Sequence, residues 1–516
     1  MTRTLSDFKT LNPSGKLSYA SLVNQWVVHG VKRFTGIVQV AKFSDGFNTE
    51  ELQTYDNAAG VYCTGVKLDG SVNGNAGTGS YSMEFKKSGV HSRPLLMFAL
   101  AHHQQALTTG VPTSLTINSP TKGRMRGIRG DKWVLAIKNV PVDLGFAPLR
   151  RDGRRTVYSA TSLAFIRNAL ITELSQNYDD QTNIESWYWG GKALDKLANL
   201  CYVASSILND AVLTSNCLTV LKKQFSRWQE NKTKRPLAYD LVWKGLVSTV
   251  GYEDINQDYG NTGYNDHHFH YGYHVHAAAT IAHLDPAWLT PATKAYVEGL
   301  IRDFANPSSK DPYFTPNRAF DWWHGHSWAK GVWESADGKD QESASEDYYA
   351  AYSLGLWATV TKDTDMWARS MLMLGILKTT NELYFQILPD SLTHDPRFTP
   401  NIVTGILFEG KVDCATYFGL NPEFIHGIQM LPLSPISPFM RSEKFVKYEY
   451  EAKFKGKTQD ALNGWQGILR ANQALYDPED ALKFFTQSNF DMTWIDNGAS
   501  LTYYLALIMA WQGPGA

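Results

Sequence analysis

The stretches SATSLAFIRNALITELSQ, residues 159–176, and KALDKLANLCYVASSILND, residues 192–210, decide the fold of most of this chain. In both, apolar residues recur at the spacing of a helix face, over lengths that strands rarely reach. Similar segments follow near 273–284, 292–305, 343–360, 364–383, 459–476 and 498–511. The loops between them are rich in Gly, Pro, Asp and aromatic residues. No fixed period of roughly 20–50 residues links the segments, which argues against a simple solenoid. Many helices joined by long loops suggest a helical toroid from about residue 156 onward.

Upstream the pattern is β. GIVQVAKF (36–43), GVYCTGVKL (60–68) and SYSMEFKK (80–87) are short and rich in β-branched and aromatic residues. Gly/Asn-rich punctuation separates them, notably DGSVNGNAGTGS at 69–80. A second β-like zone, SLTINSPTKGRMRGIRGDKWVLAI, spans 114–137.

The chain has 516 residues, more than one core usually covers, so two or three domains are expected. Charged residues are 19%, and the formal net charge is −1. A near-neutral chain has no bulk attraction for nucleic acid or an anionic membrane, and it suits an uncharged partner such as a neutral polysaccharide. The aromatic share, 13% with 16 Trp and 26 Tyr, fits either a large aromatic core or a sugar-binding cleft. Pyranose faces stack on Trp and Tyr rings, whose polar tips also reach hydroxyls.

Cys63, Cys201, Cys217 and Cys414 form no CxxC pattern, so neither a structural zinc site nor a disulfide framework is expected. The first residues, MTRTLSDFKTLNPSGKLSYA, contain no apolar stretch of the signal-peptide kind. Apolar runs such as PLLMFALA (94–101) are too short to span a bilayer.

Two segments can carry chemistry. DYGNTGYNDHHFHYGYHVHAAA (258–279) places Asp266 among His267, His268, His270, His274 and His276, with Tyr264, Tyr271 and Tyr273. It ends in a small apolar helix start, AAATIAHL; the bland reading is a polar loop with satisfied histidines, which five histidines within ten residues argue against. Imidazoles suggest a metal site, but HExxH is absent. A crowded hydrogen-bonding shell around one carboxyl fits better. Such a shell desolvates Asp266 and raises its pKa, as a general acid requires.

The second segment, 319–358, opens with Asp321-Trp322-Trp323-His324-Gly325-His326-Ser327-Trp328. Adjacent Trp residues do not follow the spacing of a buried helix stripe, so this reads as a loop of stacking platforms. Glu342 and Glu346 follow at i and i+4. If they open a helix they share a face, which is also what an ordinary acidic helix start looks like. Asp266 on one side and the Glu pair on the other would suit glycoside hydrolysis. Inverting enzymes use two carboxyls roughly 6.5–9.5 Å apart, with a water between.

YNDHHFHYGY (264–273), DWWHGHSWA (321–329) and DGKDQESASED (337–347) resemble the signature blocks of glycoside hydrolase family 81. Weaker family-like blocks are LLMFALAHH (95–103), TKGRMRG (121–127), GGKALDKLA (190–198), FIHGIQMLPLSPIS (424–437) and IDNGASLTYYLA (495–506). The resemblance implies a multidomain β-plus-α protein. Its parts would be a β-sandwich over 1–105, a small β-rich linking domain over 106–155 and an (α/α)6 barrel over 156–516. The family's sandwich is usually longer, so a reduced one is expected here. The family's Pro-His-His stands as Ala101-His102-His103.

The resemblance further implies an endo-β-1,3-glucanase acting by inversion, without cofactor or metal, monomeric, and extracellular or associated with cell walls. It maps Asp266 as general acid and Glu342 as base assisted by Glu346. His270, Tyr271, Asp321, Trp322, Trp323, His324 and His326 become glucan contacts. The competing readings are a polysaccharide lyase on a similar toroid, a non-catalytic glucan-binding protein and, more weakly, a metal hydrolase.

Overall fold

The computed structural model describes residues 17–22, 25–30, 39–41 and 48–513, with side chains from residue 39 onward. The expected strand at 36–43 lies mostly outside the described residues. The protein is mixed helix and sheet, and it falls into two compact units. One holds the described residues up to Asp69 together with Tyr81–Ser119 and Arg124–Leu135; the other holds Gly70–Ser80, Pro120–Gly123 and everything from Ala136 onward.

The first unit contains the antiparallel hairpin Leu17–Leu22 and Gln25–Gly30, and strands of two three-stranded sheets. One sheet orders Val61–Asn73, Thr78–Gly89 and Lys132–Ile137; the other orders Leu96–Ala99, Arg124–Arg129 and Val111–Asn118. Alternation puts Tyr81, Met83 and Phe85 on the buried side, where Phe85 meets the fully buried Trp133 edge-on at 5.4 Å. The stretch 69–80 is not a long loop. Strand pairing continues to Asn73 and resumes at Thr78, which leaves a short turn.

The second unit is helical. The helices Trp187–Tyr202, His267–Leu284 and Ala344–Thr361 pack side by side in that order, and Thr364–Thr380 packs on the last. The two later helices of that trio are buried on all sides rather than along one stripe. Small residues allow the approach: a Cβ on Gly272 would lie 3.1 Å from Ala350.

The helix expected over 192–210 ends at Tyr202 and passes into a π-turn, Val203–Ile207. Ala211–Gln229, a helix not anticipated, then reverses direction. That reversal brings Cys201 to Cys217, which form a disulfide. One bridge is not the disulfide framework that the spacing argues against, and Cys63 and Cys414 are free. Among the described residues no helix is long and apolar enough to cross a membrane.

Candidate active site

The segment before the His267–Leu284 helix is strained. Asp258, Tyr259, Tyr264 and Asp266 all have positive φ, between 50° and 69°. Side-chain-bearing residues avoid this region, Asp less than most, and such strain persists only where surrounding contacts hold it. Those contacts are present. The Asp266 N–H donates to the Ala329 carbonyl at 2.9 Å, and the Gly331 N–H donates to Asn265 Oδ1 at 2.6 Å. Gly331 has to be glycine, since a Cβ there would lie 1.9 Å from the Gly263 carbonyl. The His267 imidazole bridges Asp303, at 2.5 Å, and the Asn261 carbonyl, at 2.8 Å. Asp258 accepts from the Ser186 hydroxyl and from the Trp187 N–H.

Asp266 is thus the N-cap residue of its helix, yet its side chain makes no capping bond. Burial drives its pKa well above the usual carboxyl value. The negative charges of Glu342, Asp340, Glu346 and Asp258 push it the same way. Both effects favour its protonated form.

Glu342 and Glu346 do not share a helix face. The helix begins at Ala344, and Glu342 directly follows the short strand Asp340–Gln341, which pairs with Ile406–Phe408. Ser343 takes the N-cap position but donates its hydroxyl to the Ile428 carbonyl instead of accepting from the helix. The two glutamates therefore have different settings. Glu346, in the first turn and buried, accepts from Tyr188 at 2.8 Å and from Tyr273 at 2.7 Å, both on Oε1. Burial raises its pKa, opposed by Lys192 and by the two phenols. Glu342 is half-buried, and its Oε1 accepts from the Tyr417 N–H, at 2.8 Å. Burial raises it to about 7; the Tyr417 bond opposes that, while Glu346 and Asp340 add to it.

The expected sugar contacts divide. Trp322, Trp323 and His324 are half-buried in the turn between the strands Phe320–Asp321 and His326–Ser327, where rings remain accessible. Asp321 is occupied in shaping that turn. It accepts from the N–H groups of Trp323 and His324, at 2.9 and 3.1 Å, and from the Trp328 indole at 3.0 Å. His326 is fully buried against Trp328 and Phe385. Tyr271 is fully buried as well, with its hydroxyl on the Leu246 carbonyl. His270 is also fully buried, and its Nδ1 lies 3.1 Å from the Asn261 amide. Tyr271, His326 and His270 thus lie within the packing around the site, and the partly exposed Asp321 shapes the turn that carries Trp322, Trp323 and His324.

The histidines of 258–279 do not lie in a polar loop. The helix starts at His267, so the imidazoles sit inside a packed bundle. Burial holds His268 and His274 down to about 3 and His270 well below its usual value, so all three are neutral. Among the described residues no group of three or more His, Cys, Asp or Glu is placed to hold a metal ion. Tyr188, Lys192, Tyr417 and Asp340 belong to the site and were not singled out from sequence. Tyr188 and Lys192 come from the SWYWGGK run at 186–192, where adjacent aromatics again break helix-stripe spacing.

The description "Glycosyl hydrolase family 81 C-terminal domain" matches residues 157–505, and its N-terminal counterpart matches residues 10–151. The chain belongs to glycosyl hydrolase family 81. It is 44% identical over 490 residues to a glucan endo-1,3-beta-D-glucosidase of Arthroderma benhamiae, covering 93% of this chain and 53% of the relative. It is 40% identical over 480 residues to the primary septum glucan endo-1,3-beta-D-glucosidase of Schizosaccharomyces pombe, covering 92% and 47%. This family 81 chain thus spans about half the length of those curated relatives. A solved family 81 glycoside hydrolase from Clostridium thermocellum, in a mutant form, has the same fold, with a TM-score of 0.76 at 24% identity. The likeness covers 89% of this chain and 62% of that one.

Proposed function

We propose that this chain hydrolyses internal β-1,3-glucosidic bonds of a β-1,3-glucan with inversion, using Asp266 as general acid and Glu342 as general base. The observation that carries the reading is electrostatic. Burial and the carboxylates around Asp266 favour its protonated form, whereas Glu342 titrates near 7 with one oxygen not engaged by Tyr417. Those are the protonation states that an acid and a base need before turnover.

In the reaction, Asp266 gives its proton to the glycosidic oxygen as the bond from that oxygen to the anomeric carbon breaks. Glu342 takes a proton from a water that attacks the anomeric carbon from the opposite face, so a β-linkage yields an α product. Glu346, pinned by Tyr188 and Tyr273, adds the charge that keeps the Glu342 carboxylate basic. Trp322, Trp323 and His324 would line the glucan path. For the architecture, we read the helical unit as an (α/α)6 toroid and the β region as a reduced sandwich with a small linking domain, in keeping with the family. The names of the relatives, one of them a septum enzyme, favour a glucan of wall type met outside the cell.

A lyase is disfavoured, because a uronate substrate would enter among Asp266, Glu342, Glu346, Asp340 and Asp258. A purely binding role leaves that costly carboxylate cluster without purpose. The test is incubation of the purified protein with linear β-1,3-glucan. Early release of mixed oligosaccharides, abolished in Asp266→Asn, supports the reading. Release of glucose alone from chain ends, or an unsaturated product absorbing in the ultraviolet, refutes it.

A further inference from the structure

The segment between the strand Val412–Asp413 and the helix Pro422–Gly427 exposes large apolar side chains: Tyr417 is 62% exposed, Phe418 50% and Leu420 72%. Isolated exposed apolar residues are ordinary, but these three are neighbours and lie on a stiff base. Phe418 stacks on Trp465 with centroids 5.9 Å apart and planes 18° apart, and Phe424 packs against both rings.

Two glycines permit that stack. A Cβ at Gly427 would lie 2.5 Å from the Trp465 ring, and one at Gly419 would lie 2.7 Å from Phe424. The Thr416 hydroxyl closes the turn on the Gly419 carbonyl at 2.7 Å. The same segment is joined directly to the candidate base. The Tyr417 N–H donates to Glu342 Oε1 at 2.8 Å, and the Tyr417 hydroxyl donates to Asp340 at 2.5 Å. An aromatic surface fixed from beneath is therefore continuous with the catalytic carboxylates.

We propose that Tyr417 and Phe418 form a glucosyl-binding platform on the Glu342 side of the site. A run of β-1,3-linked glucose units stacks on it, and the Tyr417 main chain at the same time orients the Glu342 carboxylate. The inference rests on the glucanase reading above and extends it to a named set of residues outside the three signature blocks. Its ligand is a neutral pyranose chain, because flat rings with hydroxyl rims suit Phe and Tyr faces, the segment 414–421 holds no lysine or arginine, and Lys330, 6.0 Å from the Tyr417 ring, is paired with Asp340 at 3.6 Å. Ring occupancy and base geometry are coupled here, since the residue carrying one exposed ring also supplies the amide that holds Glu342.

The test is steady-state kinetics on β-1,3-linked gluco-oligosaccharides of increasing length, comparing wild type with Phe418→Ala and Phe418→Trp. Phe418→Ala is expected to raise KM for the hexasaccharide and longer chains about tenfold, the loss expected for one stacking contact, with a much smaller change in kcat. The penalty should shrink as the chain is shortened to the trisaccharide, and Phe418→Trp should restore KM. Tyr417→Phe, which keeps ring and amide but removes the bond to Asp340, should instead move the acidic limb of the kcat/KM pH profile upward. An unchanged KM in Phe418→Ala, or a penalty independent of chain length, overturns the platform while leaving the glucanase reading intact. A wild type inert on every β-1,3-glucan overturns both.

Discussion

Two buried carboxylate centres lie along the segment that supports the active site, and they are built in opposite ways. Glu449, fully buried, meets Arg441 at 2.5 Å and His426 at 2.8 Å, and despite burial its pKa is lowered. Asp266, Glu342 and Glu346 are enclosed mainly with one another and with Asp340, and all are raised. Burial acts alike on both centres; the difference lies in how closely a cation meets the carboxylate, since Arg441 bonds Glu449 directly whereas Lys192 acts on Glu346 only through its charge and burial outweighs it. The two are mechanically linked. Arg441 donates to the Gln429 carbonyl at 2.9 Å, and the Gln429 amide donates to the Glu342 carbonyl and accepts from the Ala344 N–H at 3.1 Å. Ser343 and Ser345 also donate to the Ile428 carbonyl, at 2.8 and 2.9 Å. A centre paired directly with a guanidinium thus anchors the segment that carries Glu342. This is the structural content of the FIHGIQMLPLSPIS block.

The comparison can be broken in four ways. The largest effect is expected at the acid: Asp266→Asn should lower kcat about 10²–10⁴-fold with the fold intact, measured on soluble β-1,3-glucan. At the anchor, Arg441→Met should leave Glu449 buried and unpaired. Urea unfolding should then report a loss of about 3–5 kcal/mol, whereas a catalytic carboxylate replaced by its amide should not destabilise.

The third prediction follows from linkage. A carboxyl raised on folding binds its proton more tightly in the native state, so its contribution is fully present below the unfolded pKa and is lost as pH rises through the folded one, about 7 for Glu342. Glu342→Gln should therefore raise Tm by about 2–4 °C at pH 8 and by less at pH 5. Glu449 has the opposite sign: its contribution is present above the unfolded pKa and fades as pH falls through the depressed value. The smallest effect is at Asp340, whose charge raises Glu342. Asp340→Asn should shift the acidic limb of kcat/KM downward by up to about one pH unit.

Much of this was legible in the chain. The helices at 291–305, 344–361, 364–380 and 501–512 lie where apolar periodicity places them, and the strands of 111–137 follow their β-branched runs. Ala211–Gln229 was missed because its mixed polar sequence buries only Cys217, Leu221, Gln224, Phe225 and Trp228. The start of the His267–Leu284 helix was missed for a different reason. The apolar run AAATIAHL marks only its second half; the histidines before it carry no apolar periodicity, yet each finds a partner or a ring inside the bundle, as with His274 on the Trp187 carbonyl. The candidate acid and the Glu pair were visible as residue types in unusual company. Their division of labour was not, because it depends on long-range partners: Tyr188 is 158 residues from Glu346, and Tyr417 is 75 from Glu342. Spacing along the chain suggested one helical face for the two glutamates. The structure instead puts a strand end and a helix turn there, which gives them unequal exposure and different hydrogen-bond partners.

The account stands most directly on the stereochemistry of the first product. Proton NMR of the wild-type protein acting on linear β-1,3-glucan, read before mutarotation equalises the anomers, should show new reducing ends in the α configuration. New ends that are β at the earliest times would mean retention, and would contradict the roles given to Asp266 and Glu342.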